Sequence, residues 1–281
     1  MVIPNFLPFL ALVVISIIIF IISWVKASNK RVVPFFLCIT GLIYLFEYVI
    51  LVIFKSYEYY PKVFNNAYFD NILGANISNG FIVPSVTLLI AVFNLGFWWI
   101  IFIILGFVGI EVLFLHLDIY EHFWWKTIYT SIGLLINFNL GKWIWRLIQN
   151  HLDWFQLRFS ILYFTNVAIQ STLTFYLAAL FELFIFNVNW FQDPIRGHFA
   201  FITLYFFIDS VIYSLLVVKR VHWFWQALFI FSLFCINYWF YHIGILKLSN
   251  SWVLGLIFGI QVIELFILKY MNKLLLQVPS Q

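Results

Sequence analysis

Apolar residues along this chain come in nearly unbroken runs, cut by short clusters of charge, Asn, Gly and Pro. A helix needs about 20 apolar residues, at about 1.5 Å each, to cross the hydrocarbon of a bilayer. Nine runs have that length: 6–25, 33–54, 72–95, 97–117, 124–145, 159–188, 199–218, 223–243 and 252–270. The pattern predicts an all-α, polytopic integral membrane protein of about nine transmembrane helices, a single domain over residues 1–281. The narrowest cut is between the third and fourth runs. Only Asn94, Leu95 and Gly96 intervene there, so a tight hairpin is required. Without it every later helix would be inverted.

Composition agrees with lipid as the main solvent. Hydrophobic residues make up 65% of the chain and charged residues 9%, with a mean hydropathy of +1.03. A soluble domain has about 45–50% and about 25%. Disordered chains are polar and poor in aromatics, which excludes that class too. No soluble stretch is long enough to house a kinase, an ATPase or a nucleic-acid-binding module, so no nucleic-acid partner is expected. No cofactor motif is present. Cys38 and Cys235 lie inside apolar runs and read as buried free thiols rather than a disulfide framework. The first run lacks a basic leader and a small-residue cleavage pattern, so it is expected to stay as an anchor.

Charge sets an expected orientation. With nine helices, ten of the fifteen basic residues fall on one side, among them Lys30, Arg31, Lys219 and Arg220. The positive-inside rule places that side in the cytoplasm, with the N-terminus outside and the C-terminus inside the cell membrane. Most acids outside the runs fall on the opposite side. Tryptophans cluster near predicted helix ends, where an indole keeps its ring in lipid and its N–H near water.

Outward-going helices share a local pattern. Glu47, Glu111, Glu182 and Asn237 each follow a bulky apolar residue and precede four apolar ones. This suggests parallel helical-hairpin repeats over 1–62, 72–126, 159–196 and 199–247, with a final helix at 252–270. In that frame the three glutamates lie at one depth, roughly 8–10 Å below the outer surface. Acids in a bilayer are costly and usually face a bundle interior or a watery cavity. One reading is a shared ligand or cation site of Glu47, Glu111 and Glu182, with Asn237 as a fourth oxygen donor. The other is that each acid pairs locally. Asn166, Gln170 and Thr174, four residues apart on the sixth run, form a polar stripe that suits either a site lining or interhelical hydrogen bonds. A looser outer group, His116, Asp118, Glu121, His122 and His198, has metal-ligating side chains without a zinc-type spacing. Glu121-His122 has no nucleophile nearby, so no catalytic residue is assigned and an enzyme is not the leading expectation.

The segment Glu58-Tyr59-Tyr60-Pro61-Lys62, the intramembrane Glu111, and the run from His122 through Trp124, Trp125 and Lys126 to Thr130 resemble a family of multi-pass membrane proteins from spore-forming Firmicutes. The resemblance covers residues 55–146. It implies a bacterial cytoplasmic membrane and carries no activity, and the four further helices depart from that family's five-helix length. The leading functional reading is binding or permeation of a small solute or cation. The alternatives are a non-catalytic partner or sensor subunit of a larger complex, and a lipid-modifying enzyme. Expected partners are membrane lipid, other proteins and a second copy of the chain.

Overall fold

A computed structural model describes residues 4–277. Each predicted run is a helix. They are α1 (Phe6–Ala27), α2 (Val32–Ile53), α3 (Ala67–Val92), α4 (Phe97–His116), α5 (Thr127–Asn150), α6 (Phe155–Phe181), α7 (Pro194–Val218), α8 (Trp223–His242) and α9 (Trp252–Leu276). All but α5 are long and apolar enough to span a membrane by length and hydropathy. α5 carries Asn137, Asn139, Lys142 and Arg146, which lower its hydropathy. It still runs the depth of the bundle, because Ile148 near its end meets Arg31 at the turn before α2. The protein is an all-α, multi-pass membrane protein. α1 leaves a broad aliphatic face bare, including Leu10, Ile17 and Ile21, as expected of a surface wetted by lipid.

The tight α3–α4 hairpin is present. Asn94 takes the left-handed conformation at φ 48°, and its side-chain oxygen accepts from Arg146, while Lys142 donates to the Leu95 carbonyl. The turn satisfies its polar groups from α5, which is why three residues suffice.

Four short strands lie between helices: β1 (Tyr57–Tyr59), β2 (Tyr120–His122), β3 (Phe184–Phe186) and β4 (Leu246–Leu248). β1 pairs antiparallel with β2, Glu58 opposite Glu121. β3 pairs antiparallel with β4, Ile185 opposite Lys247. These strands follow α2, α4, α6 and α8, so both ribbons sit at one end of the bundle.

The ribbons share a repeated local geometry. Tyr59 N–H donates to Asn71 Oδ1, and Phe186 N–H donates to His198 Nδ1. Tyr60 N–H donates to the Ile119 carbonyl, and Asn187 N–H to that of Ile245. Phe123 N–H donates to the Ser56 carbonyl, and Ser249 N–H to that of Leu183. The N-caps of α3 and α7 are Asn66 and Asp193, each accepting from two backbone N–H groups. Left-handed residues pair likewise: Lys55 with Glu182, Asn94 with Arg220, and Asp118 with Gly244. Every one of these pairs is separated by 126 or 127 residues in the chain. The repeat is therefore α2–α5 followed by α6–α9, with α1 added at the front against α3. An even number of helices gives both copies the same orientation. Within each copy a helical hairpin recurs: the left-handed residues Lys55, Asp118, Glu182 and Gly244 end α2, α4, α6 and α8 in turn. The four hairpins thus begin at α2 rather than at α1, and the unmatched helix is the first and not the last. In this frame Thr174, not Glu182, corresponds to Glu47.

The copies meet along α2 and α6. A Cβ on Gly41 would fall 1.8 Å from the Phe164 carbonyl oxygen, so only glycine allows this approach. Its counterpart on α6 is Ala168, fully buried. Small residues let helices close in lipid, where association rests on packing and polar contacts. At the end opposite the ribbons, Arg31 donates to the Ile148 and Leu275 carbonyls. These are equivalent positions at the C-terminal ends of α5 and α9. One guanidinium thereby satisfies carbonyls that helix ends leave without intrahelical partners, and ties the two copies together.

Candidate functional site

The main cavity, about 240 Å³, lies inside the first copy between α2, α3, α4 and α5. Its polar wall comes from three places. Glu47 projects from α2, Glu111 from α4, and Ser78, Asn79 and Asn137 from α3 and α5. Tyr57, Tyr59, Tyr120 and Trp125 close the end nearest the ribbon, and all four are buried. The rest of the lining is aliphatic and phenylalanine, with Tyr129, Thr130 and Gly133 from α5. Phe46 and Ile136 stand on α2 and α5 at its rim, and Ile136 is 62% exposed on the outer face of the bundle.

Local helix geometry makes this space. The end of α2 (Tyr48–Ile53) and the middle of α3 (Asn76–Ile82) are wound as π-helix. In α3 the cause is Pro84, which has no N–H to donate toward Gly80 and clashes with that carbonyl. The Gly80 carbonyl accepts instead from Thr40 Oγ1. The wider turn carries Ser78 and Asn79, and π segments recur at functional sites. α6 and α7, the counterparts of α2 and α3, are wound as α-helix throughout their assigned spans.

Glu47 accepts from the Tyr57 hydroxyl, which lies 2.6 Å from both of its oxygens. Across the cavity Glu111, 8% exposed, has Oε1 2.9 Å from His122 Nε2. That pair is close but off-line for a hydrogen bond, and both Glu111 oxygens lack a hydrogen-bond partner among the described residues. The Tyr59 and Tyr120 rings stack at 4.5 Å, and Tyr57 meets Trp125 edge-on. Burial pushes the phenols of Tyr57, Tyr59 and Tyr120 above their usual range. Glu47 adds to this for all three, and Glu111 for Tyr59 and Tyr120. Among the described residues the cavity is lined by two carboxyl groups and eight aromatic rings and by no Lys, Arg or His; the one imidazole nearby is that of His122, beside Glu111.

Of the residues singled out from sequence, Glu47 and Glu111 share this cavity. Glu182 does not join them. It stands in the left-handed turn that ends α6, exposed, and α6 stops short of the predicted run because β3 begins at Phe184. Thr174 lies on the other side of Glu47, where both line a smaller cavity of about 60 Å³ between the copies. Asn237 occupies on α8 the place that Glu111 holds on α4, but it is buried in the second copy. Asn166 and Gln170 face Ser210 and Asp209 across α6 and α7. The histidines separate. His198 is buried against β3, His122 meets Glu111, and His116 with Asp118 lies exposed at the end of α4. Glu121 accepts from the Tyr60 hydroxyl. Among the described residues no three His, Cys, Asp or Glu side chains approach closely enough to hold a metal. The proposed metal group thus comes apart, since His198 belongs to the second ribbon and the others to the first.

Sequence reading missed the aromatic half of the site. Tyr57, Tyr59 and Tyr120 lie on three-residue strands with no period long enough to recognise. It also missed Asp70, whose carboxylate accepts the N–H groups of Lys62, Val63 and Phe64 and fixes the loop after β1. An Asp a few residues inside a capped helix was the available signal. Comparison with known protein families, characterised proteins and solved structures finds no match for the chain.

Proposed function

We propose that this membrane protein binds a small organic cation, an amine or quaternary ammonium, in the cavity of its first copy. The observation that carries the reading is the meeting of Glu47 and Glu111 with Tyr57, Tyr59, Tyr120 and Trp125 around one space. Carboxylates supply charge, and aromatic faces attract cations by about 0.5–2 kcal/mol each, more when water is excluded. The volume of about 240 Å³ is below the ~300 Å³ at which drug-sized pockets begin, which favours a compact solute over a lipid. The distribution of basic residues supports an orientation with the ribbons outside and the α9 terminus in the cytoplasm. The site would then face the outer leaflet of a cell membrane, bacterial if the resemblance of residues 55–146 is followed.

A thermal-unfolding screen of the purified protein tests the reading. Tetramethylammonium, choline and short amines should raise the unfolding temperature, and neutral or anionic solutes of the same size should not. The Glu47→Gln/Glu111→Gln variant should lose the effect. Stabilisation by neutral solutes alone would overturn it.

A further inference from the structure

The second copy holds a polar cluster built from other helices. Asp209 on α7 and Glu264 on α9 are 3% and 4% exposed. Gln170 Nε2 donates to Asp209 Oδ2 at 3.1 Å and to Glu264 Oε2 at 3.3 Å. One amide nitrogen thus holds both carboxyl groups. Behind it, Asn166 Nδ2 donates to Ser210 Oγ at 3.0 Å, and Ser210 Oγ donates to Gln170 Oε1 at 2.9 Å. Every donor in this chain is directed toward the two acids.

Two oxygens are left over. Asp209 Oδ1 and Asn166 Oδ1 are buried without any hydrogen-bond partner among the described residues, and Asn166 is fully enclosed. No Lys, Arg or His pairs with either acid among the described residues. The titratable groups that face the acids are Tyr163 on α6 and Tyr205 and Tyr213 on α7. The Tyr213 hydroxyl is turned to the Gln261 carbonyl on α9. Two carboxylates in a low-dielectric interior, with no positive partner, cost several kcal/mol each. Something cationic must offset that cost.

We propose that Asp209, Glu264 and Asn166 form a binding site for one monovalent cation, a sodium ion or a proton, in the second copy. Hard cations take oxygen ligands, and calcium demands about six to eight of them. Gln170 already occupies one oxygen of each acid, so too few remain for a divalent ion. The amide of Gln170 fixes the spacing of the acids, and Asn166 supplies the neutral oxygen. The site is separate from the cavity of Glu47 and Glu111 and stands whether or not an organic cation binds there.

The test is unfolding temperature of the full chain in lipid nanodiscs. Sodium chloride is exchanged for caesium chloride at constant ionic strength, and pH is varied in a second series. A ligand that binds only the folded state stabilises in proportion to the logarithm of its concentration above Kd. The wild type should gain stability with sodium, which assigns a sodium ion, or with falling pH alone, which assigns a proton. The Asp209→Asn/Glu264→Gln variant should lose that dependence. Should that variant fail to fold, Asn166→Ala retains both acids and should weaken the apparent affinity by about tenfold. Indifference of the wild type to both ions would overturn the proposal. So would an unchanged dependence in these variants, or a calcium effect that the double variant abolishes.

Discussion

Among the described residues, Glu47 and Tyr57 form the one side-chain hydrogen-bonded contact between α2 and the ribbon in the cavity wall. Glu47 reaches the cavity from the last α-helical turn of α2, and its charge is met by one phenol from the next strand. Tyr57→Phe removes that donor and leaves a carboxylate short of a partner. Such a loss costs about 1–3 kcal/mol, so the variant should unfold at lower denaturant while keeping its fold. An equal midpoint would show that Glu47 is satisfied elsewhere. The ribbon phenols make a second prediction. An ordinary tyrosine ionises near pH 10, but Tyr57, Tyr59 and Tyr120 are held higher, first by burial. A raised value in the folded state contributes stability that is full below about pH 10 and fades above it, because the unfolded chain releases its protons first. Alkaline titration by phenolate absorbance should therefore show these three ionising only as the protein unfolds. At this scale sequence was a partial guide. Glu47 and Glu111 stood out because acids are rare in apolar runs. Their aromatic neighbours did not, because 23% of the chain is aromatic and one Tyr among many carries no signal.

Helices were legible from apolar run length, and each of the nine runs is a helix among the described residues. Their frame was not, because the copies keep geometry while exchanging chemistry. Asn71 and His198 do the same work with different side chains, as do Asn66 and Asp193 at the N-caps. Matching Glu with Glu along the chain therefore aligned Glu182 with Glu47, whereas backbone geometry aligns it with Lys55. Substitution at the α2–α6 crossing tests the packing of the copies. Gly41→Ala places a methyl on the Phe164 carbonyl, and overpacking of this kind typically costs about 1–3 kcal/mol. Ala168→Gly at the equivalent place removes a methyl and adds no clash, so it should be milder. Similar losses from both would argue that the crossing is not the tight point.

Across the whole molecule, two four-helix units of matching geometry carry different polar features, a cavity in the first and a buried polar cluster in the second. The π-wound segments at Tyr48–Ile53 and Asn76–Ile82 accompany the cavity, and their counterparts are regular helix. Orientation is checked by cysteine labelling in intact cells. Asn65 and Gln192, equivalent and exposed at the ribbon end, should label from outside when replaced by Cys. Lys30 and Lys219 should not, and the reverse pattern would invert the assignment. Calorimetric titration of the purified protein with tetramethylammonium tests the cation site of Glu47 and Glu111 most directly. Saturable binding at one site per chain is expected, with affinity falling at least tenfold in Glu47→Gln and again in Glu111→Gln. Absence of binding to a folded wild type, or affinity that neither substitution changes, would contradict it.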